Sequence, residues 1–249
     1  MKTLIALTLI AASAQAQNTN RWITHPATLG TGANSLTTLL KYPDAEARAK
    51  QEMEVAFFCD VGKDGKASNF LLYRPADSNN VFVIAVRKAV NAASFEPAIS
   101  EGQPVSVQLG ASVLFQIENG WPSPVVRLNI SDKSAADRNY TGPQLIGGQA
   151  VLLHNVVYPD VARAQRVNGV VDVSFDIDLF GSPRAVKVVN ETPAGHGFAE
   201  SAIAAVRKAR FIPALYENKA LKAPSRQRIE FNVEVIELYA PTRAPKKKT

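Results

Sequence analysis

The feature that most constrains the fold is an alternating segment that occurs twice in the chain. From Val171 to Leu179, five apolar residues alternate with four polar ones. A period of two residues is typical of a β-strand with one buried face and one solvated face. Turn residues follow from Phe180 to Pro183, and Arg184 to Val189 supplies a second strand. The segment therefore predicts a half-buried antiparallel hairpin.

The second copy lies 116 residues upstream. The apolar positions Val171, Val173, Phe175 and Ile177 correspond to Val55, Phe57, Cys59 and Val61. Tyr-Pro-Asp occurs at 42–44 and 158–160, and Phe-x-Pro-Ala begins at 95 and 211. Ala-Val-Arg-Lys-Ala recurs at 85–89 and 205–209, with a spacing of 120 instead of 116. This difference predicts that the second copy has four extra residues before its helix core and that the first copy has four extra residues after it. A repeat of this length indicates a duplicated domain, because solenoid units are shorter.

Each copy predicts helix, strand, strand, helix, strand, which is an α+β fold of two layers with a three-stranded antiparallel sheet and two helices. Proline at 43 and 159 opens the first helix. Asn168-Gly169 is predicted to end that helix in the second copy, whereas Met53 predicts a different exit in the first.

The second helix of each copy is amphipathic, with the apolar stripes Phe82, Ala85, Val86, Ala89 and Phe198, Ala202, Val206, Ala209. Asp77 or Ser78 is the predicted N-cap in the first copy. The last strand is predicted over Val105 to Ile117 and over Arg228 to Ile236.

The chain divides into six predicted regions: a signal peptide at 1–16, a lead-in at 17–41, a first domain at 42–118, a linker at 119–157, a second domain at 158–237 and a basic tail at 238–249. Lys2, the apolar run from Leu4 to Ala12 and Ala14-Gln15-Ala16 form the three regions of a secretory signal. The apolar run is too short to span a bilayer. We expect a soluble exported protein that begins at Gln17 and has no integral membrane anchor.

The formal net charge is +6, but it is not carried by the domains. Residues 42–118 hold three more acidic than basic groups, and residues 158–237 hold one more basic than acidic group. Arg243 and Lys246 to Lys248 place the excess in the tail, which is either a solvated terminus or a weak contact to anionic lipid or peptidoglycan. No basic face with interleaved aromatics is present, so no nucleic-acid partner is predicted.

Residues that could carry catalysis or metal binding are sparse. The three histidines have no metal-ligand spacing, and no Gly-x-Ser-x-Gly motif exists. His196 between two glycines is predicted in an exposed loop, and the Asp60 to Gly65 segment is predicted to be a hairpin turn, not a calcium loop. Cys59 shares the inward parity of its strand and is a buried thiol or, alternatively, an intermolecular disulfide partner. No enzyme, metal or cofactor is predicted.

The order of these motifs resembles the TonB C-terminal domain. Tyr158 to Val235 fits the family along its whole length, and Tyr42 to Phe115 is a more diverged copy. Ala209 stands where the family often has tryptophan, and TonB itself keeps an N-terminal membrane helix and a Pro-rich spacer. The family motif falls on Tyr158, Pro159, Gly169, Gly181, Phe211 and Pro213.

The resemblance implies a periplasmic module that adds the box peptide of an outer-membrane TonB-dependent receptor to its sheet edge. It places this peptide-binding edge on the last strand, at Arg228, Glu230, Asn232, Val233 and Glu234. The charged residues are expected to face solvent, while Ile229, Phe231, Val233 and Val235 face the helices. These charges could instead serve only to prevent edge aggregation.

Because the chain has a cleavable signal in place of the energy-transducing helix, we expect a soluble binding protein associated with transport. The alternative is an envelope scaffold or dimerisation protein of the TolA/TonB type. In that case the partner is another envelope protein, a second copy of the chain, or the sister repeat.

Overall fold

The computed structural model describes residues 24–73, 77–129 and 139–239. The predicted signal peptide and the final ten residues of the basic tail lie outside these ranges. The first repeat contains three helices, a hairpin, a small second hairpin and a long strand. Its elements are α1 (Leu36–Leu39), α2 (Asp44–Arg48), β1 (Met53–Val61), β2 (Ala67–Leu72), α3 (Val81–Ala92), β3 (Ala98–Ser100), β4 (Gln103–Val105) and β5 (Val107–Glu118).

Three strands follow, namely β6 (Trp121–Arg127), β7 (Tyr140–Thr141) and β8 (Gln144–Ile146). The second repeat then has the same order of elements, with two additions: β11, before the small hairpin, and a final helix. Its elements are α4 (Gly148–Asn155), α5 (Asp160–Ala164), β9 (Gly169–Ile177), β10 (Pro183–Thr192), α6 (Phe198–Lys208), β11 (Phe211–Ile212), β12 (Ala214–Tyr216), β13 (Lys219–Leu221), β14 (Ala223–Phe231) and α7 (Val233–Tyr239).

The two repeats keep one offset of 116 residues throughout, so the predicted four-residue insertions are wrong. The helices α3 and α6 end at Ala92 and Lys208, which are 116 residues apart. Their buried positions also correspond at this offset, as Val86 with Ala202 and Val90 with Val206 show. A slip of four residues is about one helical turn and keeps the pentapeptide on the same face, which is why the sequence match was misleading.

The predicted alternation is confirmed in both hairpins. In β1 and β9 the inward residues, from Val55 to Val61 and from Val171 to Ile177, are at most 4% exposed. Leu179 is an exception, because β9 ends at Ile177 and Leu179 is exposed in the turn. The buried thiol of Cys59 is also confirmed.

The turn glycine of each hairpin lies against the Phe-x-Pro-Ala segment. Gly181 has φ +75°, and a Cβ there would lie 1.8 Å from the carbonyl oxygen of Phe211. The Phe211 N–H donates to the Gly181 carbonyl at 3.0 Å. Gly65 and Phe95 repeat this arrangement in the first copy, with an N–H to O distance of 2.9 Å. Glycine is required here both for its backbone angle and for the close approach of two chains.

The prediction that Gly169 ends the first helix of the second repeat is wrong. The helix α5 ends at Ala164, the left-handed residue that follows is Arg166 (φ 52°), and Gly169 is the first residue of β9. In the first repeat Lys50 (φ 52°) has the same role, so both helices leave in the same way despite Met53. The predicted N-cap of α3 is also wrong, because Asn80 accepts the N–H of Phe82 at 2.9 Å.

An aromatic cluster anchors each core. Tyr158 contacts the rings of Phe198 and Phe231 at centroid distances of 5.9 Å and 6.1 Å. Its hydroxyl donates to the carbonyl of Val167 at 2.6 Å, which closes the loop after α5. The first repeat has the same cluster, formed by Tyr42, Phe82 and Phe115. The conserved spacing of these aromatics explains why the two repeats fold alike.

The repeats are joined by strand pairing. The first sheet has the order β11-β8-β5-β1-β2, with β6 also paired to β5, so a strand of the second repeat belongs to it. The second sheet is β10-β9-β14. The amide of Gln144 in β8 is hydrogen-bonded to both backbone groups of Ala27, at 2.7 Å and 2.9 Å. Ile212 of β11 lies in the core of the first repeat. None of the helices in the described residues is long and apolar enough to cross a bilayer.

Candidate functional site

The strand β14 provides a long regular edge at one side of the second sheet. It pairs with β9 over nine consecutive residues without a bulge, and no other strand within the described residues pairs with its outer side. The edge strands β2, β6 and β10 are less suited to accept a partner. Register shifts interrupt the pairing of β2 and of β10, and β6 carries prolines at 122 and 124. Bulges and prolines protect sheet edges from additional strands.

The counterpart of β14 in the first repeat is β5, and its outer side is already occupied. The strand β6 pairs with it antiparallel from Ser112 to Glu118, and β8 pairs with Val107 and Gln108. The outer edge of the last long strand of a repeat can therefore accept an antiparallel neighbour. Only the second repeat leaves it open within the described residues.

The side chains of β14 alternate as predicted over the length of the strand. Ile229 and Phe231 are buried, whereas Arg228 and Glu230 are exposed. The guanidinium of Arg228 lies 3.5 Å from the carboxylate of Asp172 and 3.7 Å from that of Glu230. Exposed pairs of this kind contribute about 0–1 kcal/mol to stability. The charged face is thus available for interactions with another chain.

The predicted continuation of this strand to Ile236 is wrong. The strand ends at Phe231, and Asn232 caps α7 by accepting the N–H of Glu234 at 3.0 Å. Val233 and Glu234 are therefore helical, and Val235 is exposed instead of facing the core. The helix forms because Ile236, which is 2% exposed, packs into the core of the second repeat. Of the five predicted edge residues, only Arg228 and Glu230 lie on the strand.

The six residues of the family motif are placed in cores and turns, not on the open edge. Tyr158 and Phe211 are buried in the second core, and Pro159 precedes α5 as its N-cap residue. Gly169 packs against the Phe198 ring, Gly181 forms the hairpin turn, and Pro213 is buried. The motif residues therefore stabilise the fold of the domain through its core and turns.

A cleft of about 670 Å³ lies between the two repeats, and sequence reasoning missed it. Its lining includes Arg226, Arg228 and Glu230 of β14 together with Phe58 and Leu71 of the first sheet. The signal that could have revealed it is the apolar character of Phe58 and Leu71, since both occupy solvent-facing strand positions where polar residues are usual.

The buried carboxylate of Asp60 holds two residues that line this cleft, Asn69 and Gln149. Asp60 is 8% exposed and accepts the amide of Asn69 at 2.8 Å and the N–H of Gln149 at 3.2 Å. Burial raises the pKa of Asp60, while these two hydrogen bonds act in the opposite direction. Gly148 permits this contact, because a Cβ there would lie 2.6 Å from a carboxylate oxygen of Asp60. The first strand of one repeat thereby holds the N-terminus of α4.

The hairpin turn predicted after Asp60 is confirmed, because the side chain of Asp64 accepts the Lys66 N–H at 3.0 Å between β1 and β2. His196 lies in the loop before α6, as predicted, but its ring is partly buried at 6.0 Å from that of Phe198. In residues 24–73, 77–129 and 139–239, no group of three His, Cys, Asp or Glu side chains could hold a metal ion.

Comparison with known proteins identifies a family and similar solved structures. The family model described as Gram-negative bacterial TonB protein C-terminal matches twice, at residues 38–117 and 154–233. The solution NMR structure of the Pseudomonas aeruginosa TonB CTD is 23% identical over 40% of this chain and 91% of that chain, with a TM-score of 0.31. No curated protein matches the chain. The two family matches are also 116 residues apart, and together they cover more than half of the sequence. The chain belongs to the Gram-negative bacterial TonB protein C-terminal family and contains two tandem copies of its domain.

Proposed function

We propose that this protein is a soluble periplasmic binding protein that accepts an extended segment of an outer-membrane TonB-dependent receptor along β14. The observation that carries the proposal is the outer side of β14, with which no strand of the described residues pairs, whereas its inner side pairs with β9 without interruption. An extended peptide can be added to such an edge through main-chain hydrogen bonds, and adjacent side chains then provide selectivity.

The first repeat supports this mode of binding. Its corresponding strand β5 carries β6 as an added antiparallel strand, over seven residue pairs from Ser112↔Arg127 to Glu118↔Trp121. A peptide of similar length on β14 would extend the second sheet from three strands to four. The buried residues Ile229 and Phe231 hold the strand in place from its inner face.

The proposed location rests on the sequence of the N-terminus. Lys2, the apolar run from Leu4 to Ala12 and the small residues Ala14 and Ala16 are typical of a cleaved secretory signal. A mature chain that begins at Gln17 would bring the two domains into the same compartment as the periplasmic side of the receptor. Intact-mass measurement of the protein from a periplasmic extract tests this, and retention of Met1 would contradict it.

Peptide backbone chemistry tests the binding mode directly. We expect the mature chain to bind a labelled receptor box peptide, and N-methylation at alternate peptide residues to have an effect that depends on parity. Methyl groups on the amides that face β14 should weaken binding at least about tenfold, because each removes a main-chain hydrogen bond and introduces a clash. Methyl groups on the amides that face away from β14 should leave the affinity for the peptide nearly unchanged. Equal affinities for both methylated peptides would contradict strand addition.

Two adjacent proline variants supply the matching test on the protein. Gln227→Pro and Arg228→Pro affect neighbouring N–H groups, of which one faces β9 and the other the open side. Circular dichroism identifies the variant that stays folded. That variant should lose peptide binding, and a folded variant with unchanged affinity would exclude β14 as the site.

The scaffold alternative predicts that β14 pairs with the same strand of a second copy. Within the described residues no strand of the first repeat pairs with β14, because the strand pairing between the repeats runs through β8 and β11. Sedimentation of the mature chain with and without peptide distinguishes the two functions. A dimer that no peptide dissociates, together with the absence of peptide binding, would establish the scaffold function.

A further inference from the structure

The two repeats have diverged on the faces that meet at the cleft. Phe58 and Leu71 are cross-strand partners on the solvent face of the first sheet, and both line the cleft. At the offset of 116 residues, the second repeat has Ser174 and Lys187 at these positions. The first repeat therefore has an apolar patch where its sister has an ordinary polar surface.

Aromatic packing orders this patch. The rings of Phe58 and Tyr73 meet edge to face, with centroids 5.9 Å apart. Leu71 is 46% exposed and borders the same cleft. Leu153 of α4 and Val235 of α7 extend the apolar lining toward the second repeat. We call Phe58, Leu71 and Tyr73 the first-repeat wall.

The opposite side of the cleft is charged. Arg226 and Arg228 of β14 line it, whereas the first repeat has Gly110 and Ser112 at the corresponding positions. Arg228 is engaged by Asp172 and Glu230. No acidic side chain in the described part of the chain forms an ion pair with Arg226. Among the described residues, the guanidinium of Arg226 on this side of the cleft thus has no carboxylate as an ion-pair partner.

The two sides are held at a fixed separation. The strand β8 pairs with β5 of the first repeat and with β11 of the second. The carboxylate of Asp60 binds the N–H of Gln149 on α4. Next to it, the side-chain amide N–H of Gln108 donates to the side-chain oxygen Oε1 of Gln149 at 3.1 Å. A ligand would therefore meet a preformed site, which lowers the entropic cost of binding.

We propose that the two repeats form a single composite binding site, in which the first repeat does not bind a peptide of its own but recognises an apolar side chain of the segment bound along β14. This inference rests on the proposed function and adds the selectivity of the site. The first repeat cannot offer a second edge of the same kind, because β6 and β8 occupy β5. Its apolar surface instead faces the open strand of its sister across the cleft.

The chemistry of the two sides defines the ligand. The first-repeat wall favours a large aliphatic or aromatic side chain, because contact removes apolar surface from water on both partners. Arg226 favours a carboxylate, which would form a charge-assisted hydrogen bond. The favoured occupant is an extended peptide segment of a partner protein in which an acidic residue lies close to a large apolar residue.

Binding titrations with matched variants test this inference. The probe is a labelled box peptide that contains one glutamate beside a run of apolar residues, titrated against the mature chain. Leu71→Ser should weaken binding about fivefold, from the loss of apolar contact area. Ile84→Ser is its control, since Ile84 is 47% exposed on α3 and does not line the cleft.

The cation is tested by a double-mutant cycle. Arg226→Gln should weaken binding of the glutamate peptide about threefold to fivefold, the upper part of the range of an exposed ion pair. A peptide with glutamine in place of glutamate should bind the native chain more weakly, but it should bind the native and Arg226→Gln chains equally. Arg207→Gln on the exposed face of α6 is the control.

The outcomes separate this inference from the function on which it rests. Parity-dependent peptide binding that neither Leu71→Ser nor Arg226→Gln weakens would overturn the composite site and leave β14 as the binding edge. Absence of peptide binding by the native chain would overturn both. Weakening by the two cleft variants, with unchanged affinity in both controls, is the expected result.

Discussion

Gly169 offers a sharp test of how the second core is packed. The backbone of this glycine does not require a left-handed angle, since it is the first residue of β9 and has no positive φ. A Cβ there would lie 2.4 Å from one ring carbon of Phe198 and 2.5 Å from the next. Ordinary carbon contacts begin near 3.5 Å, so the ring would have to move by about 1 Å.

The Phe198 ring has little space for such a movement. It is fully buried, with the ring of Phe231 at 4.7 Å and that of Tyr158 at 5.9 Å. Overpacking a core of this density costs about 1–3 kcal/mol. We therefore expect Gly169→Ala to lower the free energy of unfolding by this amount, measured by guanidinium denaturation followed by far-UV circular dichroism. Phe198→Leu should relieve part of the cost, with a coupling of at least about 1 kcal/mol in the double mutant.

The helix-ending role that the sequence suggested for Gly169 makes a different prediction. Asparagine is tolerated in the left-handed conformation at helix ends, so Gly169→Asn would then be less harmful than Gly169→Ala. Packing predicts the reverse order, because asparagine is larger. An Asn variant more stable than the Ala variant, or additive effects of Gly169→Ala and Phe198→Leu, would refute the packing argument.

Three further predictions concern individual side chains. Phe175→Ala should lower the free energy of unfolding by about 3–5 kcal/mol as a core truncation. Asp176→Ala should change it by no more than about 0.5–1 kcal/mol, because the ion pair of Asp176 with Lys222 at 2.9 Å is exposed. Equal costs in a denaturant titration would mean that the β9 register is wrong. Burial and the neighbouring Asp60 raise the pKa of Cys59 to about 12, so the folded protein should resist a thiol reagent at about pH 8 and react once unfolded; rapid labelling of the folded chain would contradict this burial. Hydrogen bonds from the Ser182 N–H, the Arg184 side chain and the Phe180 N–H, in this order of size, lower the pKa of Asp178. The stabilising effect of the Asp178 carboxylate is therefore present above its pKa in the unfolded chain and is lost as the pH falls through its pKa in the folded chain. Asp178→Asn should flatten the acid limb of the pH–stability profile, and an unchanged profile would contradict the assignment.

The sequence predicted those elements whose pattern has a single structural explanation. The alternation in β1 and β9 can place Phe57 and Phe175 only on the buried face, because a shift by one residue would expose the apolar side chains that share their parity. The hairpin glycines and the Phe-x-Pro-Ala segments were also identified, and the structure adds that Gly181 and Phe211 bond to each other.

Patterns with two physical explanations were decided by tertiary contacts. Residues 229–235 alternate like a strand, but burial of Ile236 and the cap at Asn232 make the end of this segment helical. The pentapeptide shared by α3 and α6 fits two alignments one helical turn apart, and only the packing of both helices selects the offset of 116. In each case the local preference is weak and the long-range contact is strong.

What the sequence by itself determined is the duplication, the α+β fold of each copy and the family, since these follow from residue spacing that every copy must satisfy. Only the tertiary structure decided which edge is open. The strands β5 and β14 are equivalent in sequence position, yet β6 and β8 pair with β5, whereas no strand in the described part of the chain pairs with the outer side of β14. Edge occupancy depends on segments distant in the chain, such as the pairing of Leu145 with Phe211. Hydrogen bonding between such segments leaves no periodic signal in the sequence, because any residue except proline can supply the backbone groups.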